Sequence, residues 1–295
     1  MMKPFQYLSP IMGFEYIRPT TIESALRVLD EHRGGVKIIA GGTDLTIALK
    51  SDSIKPSIII DISGLRNELN YIKNSVNEIR VGSMTTFDEI YNSAVINNYA
   101  ACLSDAAYAI GTWQIRNLAT IGGNIANASP AADSAPPLIA LSATVKLKSI
   151  EGTRTIPIEE AFKGPKKSSI NDREMITEIS FKKIEGLRSS WMRIGRRNAN
   201  TISVVSVAIA ASVAENHFNY IKVGLGSVGP TPLFAKSASD FLKGKPISRS
   251  VISQAAELAM KDSSPITDIR GTKEYRLKMV RFLTFKLLNK FIEEI

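Results

Sequence analysis

A change in the pattern of apolar residues across residues 163–174 most restricts the fold of this 295-residue chain. Before this segment, short apolar runs alternate with segments of helical spacing, and residues 71–83 and 144–158 each have the pattern of a hairpin. After it come four longer β-type runs, and from about Pro232 the spacing becomes helical. Because helices and strands do not follow a regular strand–helix–strand repeat, the pattern predicts an α+β fold.

N-terminal signals predict the first helices. Thr20 and Glu23 have the spacing of a capping box at the start of a helix over residues 19–33, and Thr86 and Glu89 repeat that spacing. Residues 97–111 also have helical spacing. The polar segment 163–174 is rich in turn-forming residues and is expected to be an exposed loop or a linker.

The counts of cysteine and histidine restrict the chemistry of the chain. It contains one cysteine, Cys102, and two histidines, His32 and His217. A single thiol excludes a disulfide framework, a thiolate zinc site and an iron–sulfur cluster held by this chain alone. His32 lies at the end of a predicted helix, where a cation suits the helix dipole, and His217 lies beside a turn, so structural roles are expected for both rather than a metal site or a Ser-His-Asp triad. Cys102 lies in an apolar stretch and is expected to be a buried small residue.

The net charge of +9 comes from dispersed basic residues. The densest groups lie at residues 163–167 and 193–197, and neither is interleaved with stacking aromatic residues, so a partner surface or a solvated face is expected rather than a nucleic-acid groove. No apolar run approaches the length of a membrane-spanning helix. Residues 1–16 lack the continuous apolar core of a signal peptide, and a cytoplasmic protein without membrane insertion is expected.

Two glycine pairs follow apolar, β-type runs about 80 residues apart, in "IIAGGTDL" and "TIGGNIAN". Glycine permits a positive φ and a close approach by a ligand, and successive backbone N–H groups can form a concave site for an anion. Residues 119–141 contain no lysine or arginine. The pattern favours a diphosphate held by N–H groups of both segments, with Asp44 and Asp133 against sugar hydroxyls.

Two tight turns are the alternative interpretation of these glycine pairs. Neither segment is a Walker A motif or a GxGxxG fingerprint. If the diphosphate interpretation holds, Gly123→Val is expected to abolish retention of the bound ligand, through lost space and a strained positive φ.

These segments resemble a known family. "IIAGGTDL" and the stretch "WQIRNLATIGGNIANASPAADSAPPLIALSATVKL" are similar to the FAD-binding medium subunit of molybdenum hydroxylases, a family that includes carbon monoxide dehydrogenase, xanthine dehydrogenase and archaeal aldehyde or glyceraldehyde oxidoreductases. "FEYIRPTTIESALRVL" and "VGLGSVGPTPLFAKSASDFLKGK" fit the same family, so the resemblance covers nearly the whole chain. One departure is Asn200, where many relatives carry an acid nearby.

The resemblance implies an α+β, two-subdomain FAD-binding fold of the vanillyl-alcohol-oxidase (PCMH) type, followed by a C-terminal domain of antiparallel sheet and helices. The expected domains are residues 1–62, the first FAD-binding subdomain, residues 63–170, the second, and residues 171–295, the C-terminal domain. Carried over residue by residue, the implied FAD-binding residues are Ala40, Gly41, Gly42, Thr43, Asp44, Leu45, Thr120, Ile121, Gly122, Gly123, Asn124, Asp133, Ile176 and Arg193. Arg193 stands for a basic residue within 191–197, and Met192 is the alternative position.

The resemblance also implies the role of the chain. It is expected to be the electron-transfer subunit of a heterotrimer, or of a dimer of heterotrimers, that is an aldehyde oxidoreductase of the glyceraldehyde type. A large subunit would hold the molybdenum–pterin cofactor and a small subunit two [2Fe-2S] clusters, while this chain passes electrons through FAD to an external acceptor. No acid–base residue and no metal ligand is assigned.

Two other functions stay open at this point. One is a stand-alone flavin-dependent reductase of the same fold, although no convincing proton donor is found in the sequence. The other is a non-redox assembly or nucleotide-binding module, for which the charge of +9 would indicate an acidic partner. Bound flavin, partner subunits and turnover with NAD(P)H distinguish the three.

Overall fold

The structure is a computed structural model that describes residues 13–32 and 34–293. Residues 1–12, which form most of the N-terminal segment predicted not to be a signal peptide, lie outside the described residues. The strands are β1 (Glu15–Ile17), β2 (Val36–Ile39), β3 (Ile58–Asp61), β4 (Ile72–Asn74), β5 (Glu78–Gly82), β6 (Thr144–Ser149), β7 (Gly152–Pro157), β8 (Phe162–Gly164), β9 (Lys167–Ser168), β10 (Met175–Lys182), β11 (Arg188–Gly195), β12 (Ser203–Ala214), β13 (His217–Gly226) and β14 (Leu233–Phe234).

Helices connect and cover these strands. The α-helices are α1 (Ile22–Glu31), α2 (Leu45–Lys50), α3 (Arg66–Leu69), α4 (Phe87–Tyr91), α5 (Ala94–Tyr99), α6 (Ala101–Ala109), α7 (Trp113–Leu118), α8 (Ile121–Ala126), α9 (Ala135–Ala140), α10 (Lys236–Leu242), α11 (Arg249–Asp262) and α12 (Lys273–Glu293). In the part of the chain that the structure describes, no helix has both the length and the apolar character needed to cross a membrane.

The strands form three main sheets. The first has the order β1-β3-β2 and is parallel, the second has the order β4-β5-β10-β6-β7, and the third runs β11-β12-β13-β14. Both larger sheets are antiparallel, as the two hairpin patterns predict. The α+β prediction is therefore confirmed. The first sheet nevertheless consists of parallel strands connected by helices, an arrangement that the sequence pattern did not predict.

Three buried clusters hold the sheets together. One joins the first sheet to α1, and a larger one lies between the second sheet and helices α4, α5, α6, α8 and α9. The third packs β12 and β13 against α10, α11 and α12. Alternate residues of β12 enter different clusters, with Ala208 and Ala210 on one face and Val207 and Ile209 on the other. Strand β12 is therefore buried on both faces, which explains why its sequence is almost continuously apolar.

Several local predictions need correction. The helix expected over residues 19–33 begins at Ile22, and its capping box uses Thr21 and Ser24 rather than Thr20 and Glu23. Thr21 is extended, and its side chain accepts the Ser24 N–H at 3.1 Å. The Thr86–Glu89 capping box is confirmed. Residues 97–111 contain the end of α5 and all of α6, because Ala100 leaves helical geometry.

Segment 163–174 is partly ordered by β-structure. It includes most of the β8–β9 hairpin, so it is not only an exposed loop. Strand β10 follows it and pairs with β5 and β6 of the second sheet. The division of the chain at residues 62 and 170 stays a proposal, and sheet membership favours placing β10 with the second unit rather than the third.

Candidate functional site

The first glycine pair lies in the connection between β2 and α2. Gly42 has a φ of +70°, the left-handed region that favours glycine. Its carbonyl accepts both the N–H and the Oγ1 hydroxyl of Thr46, at 3.1 and 2.6 Å. Gly41 has a different requirement, because a Cβ there would lie 1.8 Å from the carbonyl oxygen of Leu118. The first connection therefore packs directly against the segment that leads into the second glycine pair.

Unused backbone donors line this first connection. Among the described residues, no hydrogen bond uses the N–H groups of the consecutive residues Gly41 to Leu45. Asp44 precedes α2 without a side-chain bond to the helix, and it is exposed. Successive free N–H groups around a left-handed glycine form the kind of concave site that binds phosphate oxygens. The assignment of a ligand to these N–H groups stays a prediction.

The second glycine pair does not form a loop. Thr120 is the N-cap of α8, and Gly122 and Gly123 lie in the first turn of that helix. The N–H of Ile121 donates to the Thr85 carbonyl at 3.0 Å, and that of Gly122 donates to the Ser83 carbonyl at 2.9 Å. The N–H of Gly123 donates to Thr120 Oγ1 at 3.1 Å. The expectation that these three N–H groups are free for a diphosphate is wrong, because each already has a partner.

The two glycines of this pair have different surroundings. A Cβ on Gly122 would lie 2.7 Å from both the carbonyl oxygen and the Cβ of Ser83, so Gly122 permits close packing of protein against protein. Gly123 is exposed, and a Cβ there would meet only Thr120 Oγ1, at 3.0 Å. Neither glycine has a positive φ, which removes the strain expected for a side chain at Gly123. Neither a positive φ nor close packing against protein requires glycine at position 123. The remaining reason is the open space beside it.

Asn124 extends the polar wall of the second segment. Its Oδ1 accepts the hydroxyl of Ser134 at 2.7 Å, and Ser134 is buried. This bond links the helix α8 to the start of α9, on the far side of the stretch that contains Asp133. The absence of lysine and arginine from residues 119–141 therefore leaves a wall of small and neutral polar groups.

Asp133 and Arg193 form a buried ion pair. Arg193 donates to Asp133 Oδ2 at 2.8 Å, and the hydroxyl of Ser203 donates to Oδ1 at 2.6 Å. The same guanidinium donates to the carbonyl oxygens of Thr201 and Ala109. The pair thus joins the stretch after α8 to the end of α6 and to strands β11 and β12. Sequence reasoning named both charged residues but did not pair them, and it missed Ser203.

Burial raises the pKa of Asp133 to about 6, although the bonds from Ser203 and Arg193 favour its charged form. Only 7% of the residue is exposed. A carboxyl group with both oxygens engaged inside the protein is a poor acceptor for sugar hydroxyls in this arrangement. Asp133 is therefore placed to hold the wall together, and direct contact with a ligand stays a prediction.

The remaining candidate residues lie on three elements. Ile176 is buried in β10, in the same cluster as Ile121 and Ile125 of α8. Leu45 is half-buried at the first position of α2. Met192, the alternative to Arg193, packs partly buried against the C-terminal cluster. The structure thus brings Gly41 against the second segment directly, and it links Arg193 to that segment through Asp133.

A cleft of about 560 Å³ adjoins the Asp133–Arg193 pair. Sequence reasoning missed it, because its walls come from four separate parts of the chain. Burial raises the pKa of the Asp105 carboxyl group, which accepts the N–H of Trp191 at 3.3 Å. The lining residues are Tyr91, Asp105, Tyr108, Ala109, Trp191, Met192, Arg193 and Lys290.

Comparison with family models matches both halves of the chain. The model described as "FAD binding domain in molybdopterin dehydrogenase" matches residues 12–181, and the one described as "CO dehydrogenase flavoprotein C-terminal domain" matches residues 190–291. The glyceraldehyde dehydrogenase medium chain of Sulfolobus acidocaldarius is 33% identical over 277 residues, which cover 94% of this chain and 98% of that protein.

A second relative and a solved structure agree with this match. The nicotinate dehydrogenase FAD-subunit of Eubacterium barkeri is 30% identical over 288 residues, covering 96% of this chain and 97% of that one. A carbon monoxide dehydrogenase structure from Hydrogenophaga pseudoflava superposes with a TM-score of 0.90 at 27% identity, covering 94% of this chain and 96% of its counterpart. Both similarities extend over almost the full length of the chain.

Proposed function

The chain belongs to the family of FAD-binding medium subunits of molybdenum hydroxylases, and we propose that it carries electrons through FAD from partner subunits to an external acceptor. The predicted two-subdomain FAD-binding fold with a C-terminal sheet and helix domain is confirmed by the similarity to carbon monoxide dehydrogenase. The observation that carries the proposal is the run of N–H groups from Gly41 to Leu45, which have no partner among the described residues, next to a segment, residues 119–141, that contains no lysine or arginine.

The donor set fits a dinucleotide cofactor. We assign the diphosphate to the N–H groups of Gly41 to Leu45, where Gly42 turns the backbone so that successive donors face one region. The hydroxyl of Thr43 and the carboxyl group of Asp44 are then available to sugar hydroxyls. FAD supplies the redox chemistry, while the protein binds and orients it.

The second segment forms the opposite wall in this proposal. Thr120 and Asn124 are neutral polar residues whose side chains bond to Gly123 and Ser134, and Gly123 leaves open space toward the solvent. The N–H groups of Ile121, Gly122 and Gly123 stabilise the wall itself, since each is bonded to protein. In this proposal the wall leaves space for the ligand, and its three N–H groups do not bond to the ligand.

The residues beyond the two segments support the wall. Asp133 and Arg193 act through their ion pair, which ties the second segment to the C-terminal sheet. Ile176 packs behind α8 and keeps the apolar side of the site dry. We retain all three as proposed neighbours of the cofactor, with Arg193 preferred over Met192 because its guanidinium reaches Asp133.

For the substrate of the complex, we propose an aldehyde of the glyceraldehyde type. The support is the relative named a glyceraldehyde dehydrogenase medium chain, which is 33% identical to this chain. Relatives at 30% and 27% identity are named for nicotinate and carbon monoxide, and both compounds are therefore included in the substrate test below. Substrate oxidation is assigned to a large molybdenum–pterin subunit, and electron delivery to a small subunit with two [2Fe-2S] clusters, in a heterotrimer or a dimer of heterotrimers.

Purification from the native host tests this proposal. The absorption spectrum of the isolated assembly, mass analysis of the released cofactor and identification of the co-purifying chains are measured together. FAD, iron–sulfur absorption and two further subunits are expected. FAD without partner chains, together with NAD(P)H turnover by the isolated chain, would instead identify a stand-alone reductase. A chain that neither holds nor takes up FAD would refute the assignment of the glycine segments.

Reduction assays then test the substrate. The purified assembly is mixed with glyceraldehyde, nicotinate or carbon monoxide, and bleaching of the flavin is followed. Bleaching by glyceraldehyde alone is the expected result. Bleaching by either of the other compounds, with none by aldehydes, would show that the aldehyde assignment is wrong while leaving the electron-transfer role intact.

A further inference from the structure

The short helix α7 contributes almost nothing to the core of this chain. None of its six residues is buried, although Trp113, Ile115 and Leu118 are large and apolar. Trp113 is 63% exposed and Leu118 is 57% exposed. A helix of a folded protein normally turns its apolar residues toward another element. The apolar residues of α7 therefore indicate a surface that is covered by something other than this chain.

This exposed region continues onto the neighbouring helices. Tyr108 of α6 is 58% exposed, and its ring centroid lies 4.9 Å from that of Tyr91 in α4. The guanidinium of Arg116 lies 5.4 Å from the centroid of the Tyr108 ring. The α7 surface is defined here as Tyr91, Tyr108, Trp113, Ile115, Arg116 and Leu118. A contiguous group of this kind is larger than the single apolar residues that ordinary protein surfaces expose.

The chemistry of the α7 surface is that of a protein interface. Tyrosine, tryptophan and arginine are the residues enriched where interfaces derive most of their affinity. Residues 108–118 include one arginine and no acidic residue. Asp105 lines the cleft beside Tyr91 and Tyr108, so the complementary face is expected to be apolar at its centre, with an acidic group opposite Arg116.

The α7 surface also adjoins the proposed FAD site. Leu118 ends α7, and its carbonyl oxygen would lie 1.8 Å from a Cβ on Gly41, so the end of α7 touches the first glycine connection. Ala119 and Thr120 follow immediately and lead into α8. A molecule bound across Trp113 and Leu118 therefore rests against the wall of the cofactor site.

We propose that the α7 surface is the docking site of the partner subunit that delivers electrons to FAD, an inference that rests on the proposed function. Electron delivery requires the donor to sit close to the cofactor. The α7 surface combines that position with exposed aromatic anchors. A second copy of this chain and the flavin itself are the competing occupants that the experiment distinguishes.

Two substitutions test the α7 surface in the assembled enzyme. Trp113→Ser and Tyr108→Ser are introduced into the full chain, which is co-expressed with the partner subunits identified in the wild-type assembly. Phe282→Ser on α12 is the matched control, because Phe282 is aromatic and 50% exposed but lies outside the α7 surface. The measurements are the dissociation constant of the assembly, FAD per chain, thermal unfolding, and flavin reduction by substrate and by dithionite.

The expected result is at least tenfold weaker binding of the electron-delivering subunit by both variants. FAD content, unfolding temperature and reduction by dithionite are expected to stay at wild-type values, and Phe282→Ser is expected to behave as wild type throughout. Slower reduction by substrate at low protein concentration, restored by excess partner subunit, would accompany the loss of affinity.

Four results would overturn the proposal. Variants that bind the partner subunits normally show that the α7 surface is not the docking site. Loss of FAD with partner binding intact assigns α7 to the flavin, and loss of self-association of this chain alone assigns it to a second copy. A wild-type chain that purifies with neither FAD nor partner subunits refutes the proposed function as well, which separates that failure from failure of the surface alone.

Discussion

The two glycines of α8 provide a sharp test of how the second segment is built. A Cβ at Gly122 would lie 2.7 Å from the Ser83 carbonyl oxygen, the same group that accepts the Gly122 N–H at 2.9 Å. The atoms must separate by about 1 Å to reach ordinary contact, which also strains that hydrogen bond. Overpacking of this kind typically lowers the free energy of unfolding by about 1–3 kcal/mol.

Gly123→Ala is the matched control. Its Cβ would meet only Thr120 Oγ1 at 3.0 Å, and the position is helical and exposed. Replacing glycine by alanine within a helix adds roughly 0.5–1 kcal/mol of stability. We therefore expect Gly123→Ala to unfold at or slightly above the wild-type temperature. Its FAD content is expected to fall, because the new methyl group enters the open space assigned to the ligand.

The assay measures thermal unfolding of both variants with and without added FAD, together with the flavin bound per chain. For a chain of this size, 1 kcal/mol corresponds to a shift of about 2–4 °C in Tm. A Gly122→Ala variant as stable as wild type would refute the packing argument for that residue. Full FAD occupancy in Gly123→Ala would show that the cofactor does not approach α8 at that point.

Three further predictions concern titration and reactivity. Burial opposes ionisation of Asp268, but hydrogen bonds from Arg270 and Arg276 hold its pKa at about 2. The stability that the charged carboxylate contributes is therefore present above pH 4 and is lost as the pH falls toward 2. Denaturant unfolding at a series of pH values should show a smaller loss of stability in acid for Asp268→Asn than for the wild type. Burial raises the pKa of Asp133 to about 6, so the folded state binds more protons than the unfolded state between about pH 4 and 6. The free energy of unfolding should therefore fall as the pH rises through that window, and it should change less in Asp133→Asn. Cys102 is buried, and burial raises the pKa of its thiol to about 12. Alkylation followed by mass spectrometry should therefore detect modification only under unfolding conditions. Rapid labelling of the native chain would contradict the placement of Cys102 in the core.

Much of the local structure could be predicted from the sequence. The Thr86–Glu89 capping box, both hairpins and the long strands β12 and β13 all appear where the pattern of residues indicates. The larger errors are residues 97–111, which contain parts of two helices, and segment 163–174, which includes most of a hairpin. At the first helix, Thr20 and Thr21 were both possible caps, and the backbone conformation of Thr21 decides between them.

Sheet membership could not be predicted to the same degree. Strand β10 follows a polar segment that has the composition of a linker, yet it lies in the middle of the second sheet, between β5 and β6. The sequence of β10 carries no signal for its partners, which lie far away along the chain. Pairing depends on which faces become buried together, and that is a property of the whole fold.

By itself, the sequence determined the α+β class, the resemblance to FAD-binding medium subunits and the two glycine segments, because these depend on residue types at short spacing. Only the tertiary structure decided which backbone donors are free. The N–H groups near Gly42 have no partner among the described residues, whereas those of Ile121 and Gly122 bond to Thr85 and Ser83. Likewise, Asp133 meets Arg193 across 60 residues of chain, a pairing set by the packing of α6 against β11 and β12 rather than by any local motif. Hydrogen bonds and burial are satisfied between groups distant in sequence, so the chemical state of a candidate residue is settled only when the fold brings its neighbours to it.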